Sequence, residues 1–218
     1  MKPRFISFEG SEGCGKSTQI ALLSSWLKQR QHQVHSFREP GGTPLGECLR
    51  DLLKHHPAGL GMEAESELLL FAASRAELVR KMILPRLQEN CWVLCDRFLD
   101  STTIYQGLGR RLDPLVVETL NRFAIGDTLP TLTLLLDLDP EEAYARQQQR
   151  ATQRSASEPG DRMESEPKTF YQAVVQGYRV LAEQEPQRIK RIPAQGSRED
   201  VFQLVLKEVN HAFPGLMD

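Results

Sequence analysis

A phosphate-binding loop near the N-terminus constrains this chain more than any other feature. The segment FISFEGSEGCGKST contains the pattern Gly-x-x-x-x-Gly-Lys-Ser between Gly10 and Ser17. It follows an apolar run, Phe5–Phe8, and it opens a stretch in which apolar residues recur at helical spacing. A Walker A loop between a strand and a helix predicts an α/β fold that binds nucleotide phosphates at the helix N-terminus.

The residue types of this loop suit a polyphosphate. Glycines permit unusual backbone angles and let successive N–H groups approach phosphate oxygens. Lys16 is expected to reach the β- and γ-phosphates, and the Ser17 hydroxyl is expected to bind Mg²⁺. The residues predicted to contact ATP are Gly10, Ser11, Glu12, Gly13, Cys14, Gly15, Lys16, Ser17 and Thr18.

A carboxylate follows another apolar run. Trp92–Cys95 leads directly to Asp96, and open α/β sheets bind ligands beyond the carboxyl ends of their strands. Asp96 is therefore a candidate for the Mg²⁺ shell. An aspartate at this place is also common as a helix or turn cap, so both interpretations stand at this point.

Short apolar runs alternate with longer helical patterns, which is typical of βαβ units and a mainly parallel sheet. The predicted strands are Phe5–Phe8, Val34–Phe37, Trp92–Cys95, Leu132–Leu136 and Ile189–Ile192. The predicted helices begin near Lys16, Leu45, Glu63, Pro114, Pro140, Glu166 and Ser197. Together these elements predict a single P-loop NTPase domain over residues 1–218, with three α/β/α layers and a five-stranded parallel sheet.

The polar segment Arg150–Glu166, RATQRSASEPGDRMESE, interrupts this alternation. It contains a Pro–Gly turn and no apolar period. On composition alone a solvated surface loop is the simpler interpretation. Its arginines and its position after a βα unit leave a lid as the alternative.

Charge and hydropathy exclude several classes of partner. A net charge of −2 over 218 residues argues against a nucleic-acid partner. No apolar run approaches the ~20 residues that span a bilayer, and the first residues lack the apolar region of a signal peptide. These features predict no membrane partner and a cytoplasmic location. Four cysteines without a CxxC pair are expected to be reduced.

Several classes of protein carry a P-loop. The Asn-Lys-x-Asp run of GTPases and the Ser-Gly-Gly signature of transport ATPases are both absent from the sequence. A small-molecule kinase needs a second anion site, and Arg38 and Arg97 lie at predicted strand ends. Phe71 and Arg75 share a helix face and suit a base that stacks and accepts hydrogen bonds. The same two residues also fit a core phenylalanine and an exposed ion pair.

Five motifs resemble those of bacterial thymidylate kinases (dTMP kinases). FEGSEGCGKST, REPGGTPLGECLR, LFAASR, DRFLDSTTIYQG and DRME occur in this order between Phe8 and about Glu164. The resemblance implies transfer of the ATP γ-phosphate to dTMP, giving dTDP and ADP for dTTP synthesis, with Mg²⁺ as cofactor. It also implies a short lid at about residues 146–166 and a homodimer. An apolar stripe on the predicted Glu63–Leu87 helix could supply either the dimer interface or the core.

The resemblance assigns the acceptor site residue by residue. It implies that Phe71 stacks on thymine, that Arg75 hydrogen-bonds the base and that Arg97 holds the acceptor phosphate. Tyr105 corresponds to a tyrosine beneath the sugar, where its ring would disfavour a 2′-hydroxyl. The residues implied in dTMP binding are Arg38, Glu39, Pro40, Arg50, Phe71, Arg75, Arg97, Ser101, Thr102, Tyr105 and Gln106.

The resemblance also assigns the catalytic residues. Glu12 matches an acidic residue near the acceptor sugar hydroxyl and the metal. No basic residue precedes Lys16 within the loop, and relatives of this kind supply the missing positive charge from the lid, here Arg150, Arg154 or Arg146. The implied catalytic residues are Lys16, Arg97, Arg150, Arg154 and Glu12. Ser17 and Asp96 are the implied magnesium residues, with Glu164 as a further candidate.

The sequence departs from the family pattern at two places. SASEPG lengthens the lid, and Pro193 stands beside the expected adenine pocket where relatives usually have an aspartate. The alternatives are a kinase of guanylate, cytidylate or uridylate and a regulatory nucleotide switch that has no acceptor. Acceptor-dependent turnover separates the switch from the kinases.

Overall fold

The computed structural model describes residues 3–153, 162 and 166–216. Its sheet is parallel throughout, with the spatial order β2-β3-β1-β4-β5. The strands are β1 (Phe5–Glu9), β2 (Val34–Arg38), β3 (Trp92–Asp96), β4 (Leu132–Asp137) and β5 (Ile189–Pro193). The predicted parallel sheet is confirmed, and each predicted strand continues for one further residue at its carboxyl end.

Helices connect successive strands and cover both faces of the sheet. They are α1 (Lys16–Gln29), α2 (Pro44–Lys54), α3 (Ala64–Leu78), α4 (Leu84–Gln88), α5 (Leu99–Thr102), α6 (Pro114–Ile125), α7 (Pro140–Gln153), α8 (Lys168–Gln184) and α9 (Arg198–Ala212). Pro57–Gly59 forms a 3₁₀ turn, and Val79–Ile83 and Thr103–Gly109 are π-helical.

Local capping explains where two of these helices begin. The Thr43 side chain accepts a hydrogen bond from the Gly46 backbone N–H at 3.0 Å, directly before the proline at the first position of α2. Ser197 and Asp200 form a reciprocal capping box at the start of α9. Both starts lie within one residue of the predicted positions.

Two helical regions differ from the prediction. The expected Glu63–Leu87 helix is divided into α3, the π-helical turn Val79–Ile83 and α4. The helical region Leu99–Gly109 was not predicted at all, because its sequence, LDSTTIYQGLG, has weak helix propensity. Tertiary contacts stabilise it, including an ion pair of Asp100 with Arg188 at 2.7 Å.

The core lies on both faces of the sheet because adjacent strand residues point in opposite directions. Ile6 and Phe8 of β1 pack with α1 and α9, whereas Phe5 packs with Leu78 and Phe98 on the other side. Burying a side chain of this size contributes roughly 1.5–3 kcal/mol. The three-layer α/β/α arrangement is confirmed.

The carboxyl ends of the strands gather polar residues at one edge of the sheet. Phe8 and Arg38 are both register partners of Asp96, and Glu9 ends β1. This edge also carries the loop between β1 and α1. Among the described residues, no helix combines the length and apolar character needed to span a membrane.

Candidate active site

The loop between β1 and α1 adopts a conformation that requires glycine. Gly10 has a φ of 133°, and a Cβ there would lie 2.6 Å from the Leu136 carbonyl oxygen of β4. Gly15, with a φ of 98°, caps the N-terminus of α1 in the left-handed region. The close approach of Gly10 to β4 and the left-handed turn at Gly15 direct the loop around the N-terminus of α1.

Lys16 and Ser17 begin α1 and point in different directions. The Lys16 ammonium donates to the carbonyl oxygens of Ser11 at 2.8 Å and Gly10 at 3.2 Å, so it lies across the loop. The Ser17 hydroxyl donates to Asp96 Oδ2 at 3.1 Å. The fold therefore brings Asp96 beside the loop, as expected for a carboxylate at the end of β3.

A first cavity lies on one side of the loop. Residues from α7 and from the segment after β5 complete it, and its lining is Gly13, Cys14, Gly15, Thr18, Gln19, Arg146, Gln149, Ala194, Gly196, Arg198 and Val201. The sequence did not suggest Gln19, whose Nε2 donates to the Arg198 carbonyl oxygen at 3.0 Å and connects α1 to α9. Pro193 is followed directly by Ala194, which contributes to this lining.

A second cavity lies on the other side of the loop, between α3 and the helical region Leu99–Gly109. Its lining is Glu12, Glu39, Pro40, Lys54, Phe71, Arg75, Arg97, Ser101, Thr102, Tyr105 and Gln106. All but Lys54 were predicted site residues, and no sequence pattern pointed to Lys54. Arg38 and Arg50 stand outside this lining, and both donate to the Pro40 carbonyl oxygen, at 3.1 and 2.9 Å.

Arg75 is a buried member of this second cavity. Its side chain is 1% exposed, so the exposed ion pair considered as an alternative is not observed. The guanidinium donates to Glu39 Oε2, Asn121 Oδ1 and Thr102 Oγ1, each at 2.8 Å. Burial raises the pKa of Glu39 even though the charge of Arg75 opposes the shift. The other Glu39 oxygen, Oε1, is buried and accepts no hydrogen bond from the described residues.

Arg97 connects the second cavity to the loop. Its guanidinium donates to Glu12 Oε1 at 2.6 Å, to the Gly10 carbonyl oxygen at 3.1 Å and to the Tyr105 hydroxyl at 3.3 Å. Burial alone would raise the pKa of Glu12, but the charges of Arg97 and Lys16 hold it well below its usual range. Glu12 is therefore an anion within a loop suited to anions, with Arg97 as its counter-charge.

Glu9, at the end of β1, was not predicted as a site residue. It is fully buried and accepts hydrogen bonds from the Ser101 hydroxyl at 2.6 Å, the Tyr178 hydroxyl at 2.7 Å and the Phe98 backbone N–H at 2.7 Å. Burial, followed by the charge of Asp100, raises the pKa of Glu9 to about 7. The position of Glu9 at a strand end beside the loop could have identified it as a site residue from the sequence. No sequence pattern pointed to Tyr178 on α8.

The structure describes only some of the predicted lid residues. Arg146 lines the first cavity and pairs with Glu142 on α7 at 2.5 Å. The Arg150 side chain, Arg154 and Glu164 lie outside the described residues. Their predicted roles stay predictions.

The sheet order, the glycine loop and the neighbouring Asp96 define a P-loop NTPase, with a second cavity on the far side of its loop. The family model described as "Thymidylate kinase" matches residues 8–205. The chain belongs to the thymidylate kinase family.

Individual relatives agree over almost the whole length. A thymidylate kinase of Synechococcus sp. (strain JA-2-3B'a(2-13)) is 49% identical over 197 residues, covering 90% of this chain and 89% of the relative. One from Chlorobaculum parvum is 44% identical, covering 92% and 93%. The crystal structure of thymidylate kinase from Ehrlichia chaffeensis is 35% identical with a TM-score of 0.74, covering 94% of this chain and 97% of that one.

Proposed function

We propose that this enzyme transfers the γ-phosphate of ATP to dTMP, giving dTDP and ADP for dTTP synthesis. One observation carries the proposal: the phosphate-binding loop separates two cavities, with Gly13 and Gly15 on the first and Glu12 on the second. A switch needs a nucleotide site alone, whereas a kinase needs donor and acceptor sites that meet at the transferred phosphate. The polar and aromatic lining of the second cavity suits a nucleotide base, sugar and phosphate.

The chemistry requires little from the protein beyond position and charge. The acceptor phosphate has a second pKa near ~6, so at neutral pH it is mostly a dianion and needs no general base. Lys16 would donate to the β- and γ-phosphates, and Arg97 to the acceptor phosphate. A lid over about residues 146–166 of the one kinase domain would exclude water, and Arg150 or Arg154 would stabilise the transferring group.

Magnesium suits the residues at the sheet edge. The hydroxyl of Ser17 and the carboxylate of Asp96 lie 3.1 Å apart beside the loop, and both are oxygen donors of the kind that Mg²⁺ prefers. Among the described residues no group of three or more His, Cys, Asp or Glu side chains could hold a metal ion. In this proposal the ion would be held largely by phosphate oxygens and water. When bound, Mg²⁺ would neutralise phosphate charge. Glu164 is a further candidate for its shell.

The decisive assay is ADP release with Mg·ATP and a panel of nucleoside monophosphates. Strong turnover with dTMP, weaker turnover with dUMP and negligible turnover with ribonucleotides is the expected result. Turnover with another monophosphate would be consistent with the proposed role of the phosphate-binding loop but would contradict the roles of Phe71, Arg75 and Tyr105. ATP binding without acceptor-dependent turnover would instead favour a switch.

The same proposal includes a cytoplasmic homodimer. One face of α6 exposes Leu115, Val116 and Phe123, which are 69%, 49% and 80% exposed. Their spacing places them on one side of the helix, and an apolar face of this kind fits a second copy of the chain. Light scattering should give the mass of a dimer, and Phe123→Glu should give a monomer. A monomeric wild-type protein would contradict this part of the proposal.

A further inference from the structure

Glu67 lies on the ridge of α3 that faces the second cavity. Glu67, Phe71 and Arg75 are spaced four residues apart, so they share one face of the helix. Phe71 and Arg75 line the cavity, whereas Glu67 is 1% exposed. A buried carboxylate in this position is costly unless its oxygens are fully paired.

Three side chains donate to the Glu67 carboxylate. Oε1 accepts from Gln106 Nε2 at 2.8 Å and from Arg110 Nε at 3.2 Å. Oε2 accepts from Arg110 Nη2 at 3.3 Å and from Arg162 Nη2 at 2.6 Å. Burial alone would raise the pKa of Glu67, but hydrogen bonds from Gln106 and Arg110 lower it. The ionised carboxylate can only accept, so it requires a donor from each partner.

This requirement fixes the orientation of an amide in the cavity. A glutamine amide has an NH₂ end that donates and a carbonyl end that accepts. With its NH₂ end held by Glu67, Gln106 has its carbonyl oxygen left for the cavity that it lines. We propose that Glu67 is a positioning residue for base specificity, because it holds Gln106 with its carbonyl oxygen toward the acceptor base. This inference rests on the proposed dTMP kinase function.

The orientation matters because of what the base presents. Arg75 can only donate hydrogen bonds, and Gln106 held in this way can only accept them. Thymine and uracil offer an accepting C4 carbonyl beside a donating N3–H, which matches this arrangement. Cytosine offers a donating C4 amine beside an accepting N3, so it leaves buried groups unpaired. Sites that hydrogen-bond a substrate in this manner reject mismatched analogues strongly.

The variant Glu67→Gln tests the inference. Oε2 accepts from two guanidinium groups, the shorter contact being 2.6 Å to Arg162, whereas Oε1 accepts from Gln106 and, at 3.2 Å, from Arg110. The new amide would therefore keep its oxygen on the Oε2 side and turn its NH₂ toward Gln106. Gln106 would then reverse and point its own NH₂ into the cavity. We expect the ratio of kcat/KM for dTMP to kcat/KM for dCMP to fall by at least about tenfold, mainly through a higher KM for dTMP. An unchanged ratio would overturn the inference.

Two further variants separate this effect from general damage. In a Gln106→Ala background, Glu67→Gln should leave the ratio unchanged, because there is no amide to reverse. An equal fall in that background would also overturn the inference. Arg110→Ala is the matched control, since it removes another partner of Glu67 without reversing the amide, and the ratio should stay within about twofold of wild type.

A conservative variant keeps the inference testable if Glu67→Gln folds poorly. Glu67→Asp retains a carboxylate that only accepts hydrogen bonds. Its ratio of kcat/KM for dTMP to kcat/KM for dCMP should therefore stay closer to the wild-type ratio than to that of Gln106→Ala. A ratio as low as that of Gln106→Ala would count against the inference. Wild-type turnover on dTMP tests the proposed function separately, because it involves no variant of Glu67.

Discussion

Removal of Arg75 should destabilise the protein even when no nucleotide is present. The ion pair of Arg75 with Glu39 is buried, with side chains 1% and 4% exposed. In Arg75→Ala the Glu39 carboxylate would lose its hydrogen-bonded counter-charge, while its Oε1 already lacks a partner in the described structure. Asn121 Oδ1 would also lose its donor. The variant therefore leaves a buried charge and a buried amide oxygen unpaired.

The expected loss of stability in Arg75→Ala follows from the burial of this ion pair. Removing one partner of a buried ion pair typically costs about 3–5 kcal/mol. In a protein of this size each kcal/mol lowers Tm by about 2–4 °C, so Arg75→Ala should lower Tm by about 10 °C. The loss should grow as the pH rises, because protonation relieves the stranded Glu39 at low pH and burial already raises the pKa of this carboxyl in the folded protein.

Thermal unfolding without nucleotide, followed by circular dichroism, measures this effect. Arg122→Ala is the matched control, since its pair with Glu118 is 78% and 56% exposed and should contribute less than about 0.5 kcal/mol. Adding Glu39→Gln to Arg75→Ala should recover part of the lost stability. A Tm for Arg75→Ala within about 2 °C of wild type would refute the reasoning, because it would mean that the pair adds under about 1 kcal/mol.

Three further predictions follow from the site. Burial and the charge of Asp100 raise the pKa of Glu9 from 4.5 to about 7, so the folded protein holds this proton more tightly than the unfolded chain. Stability should therefore fall as the pH rises between these values, and Glu9→Gln should flatten that slope in urea unfolding. Tyr105→Ala should weaken discrimination between dTMP and ribo-TMP, whereas Tyr105→Phe keeps the ring and should preserve it; equal selectivity in wild type and Tyr105→Ala would refute the steric role. Arg150→Ala or Arg154→Ala should lower kcat far more than dTMP affinity, and unchanged kcat in both variants would exclude these lid arginines from catalysis.

The sequence predicted well those strands, helix starts and loops whose own residues form a recognisable pattern. The strands were located to within one residue, because a buried parallel strand is a short continuous apolar run. The helix starts at α2 and α9 were found because prolines, threonines and serines act locally at helix ends. The loop residues from Gly10 to Ser17 were found because their spacing is fixed by the phosphates that such a loop binds.

The missed features depend on contacts between residues far apart in the chain. The helical region Leu99–Gly109 has little intrinsic helicity, and its partners Arg188 and Arg75 come from other helices or loops. Glu67 resembles any surface glutamate in sequence, and only the fold shows that Gln106 and Arg110 meet it in the interior. No periodicity or motif in a single sequence predicts such contacts between distant residues.

Arg97 is an example of a residue whose long-range contacts connect the second cavity to the phosphate-binding loop. Its φ of 69° lies in the left-handed region, which costs a residue with a side chain about 1–2 kcal/mol. β1 offsets this strain at two points: the Phe8 carbonyl accepts from the Arg97 N–H at 3.0 Å, and Glu9 accepts from the Phe98 N–H at 2.7 Å. The turn directs the guanidinium to Glu12 at 2.6 Å. Arg97 directly follows β3 and Glu12 lies three residues after β1, and these two strands are paired, so the sheet positions both ends of this contact. In the proposed reaction the sheet would therefore set the distance between the donor and acceptor phosphates.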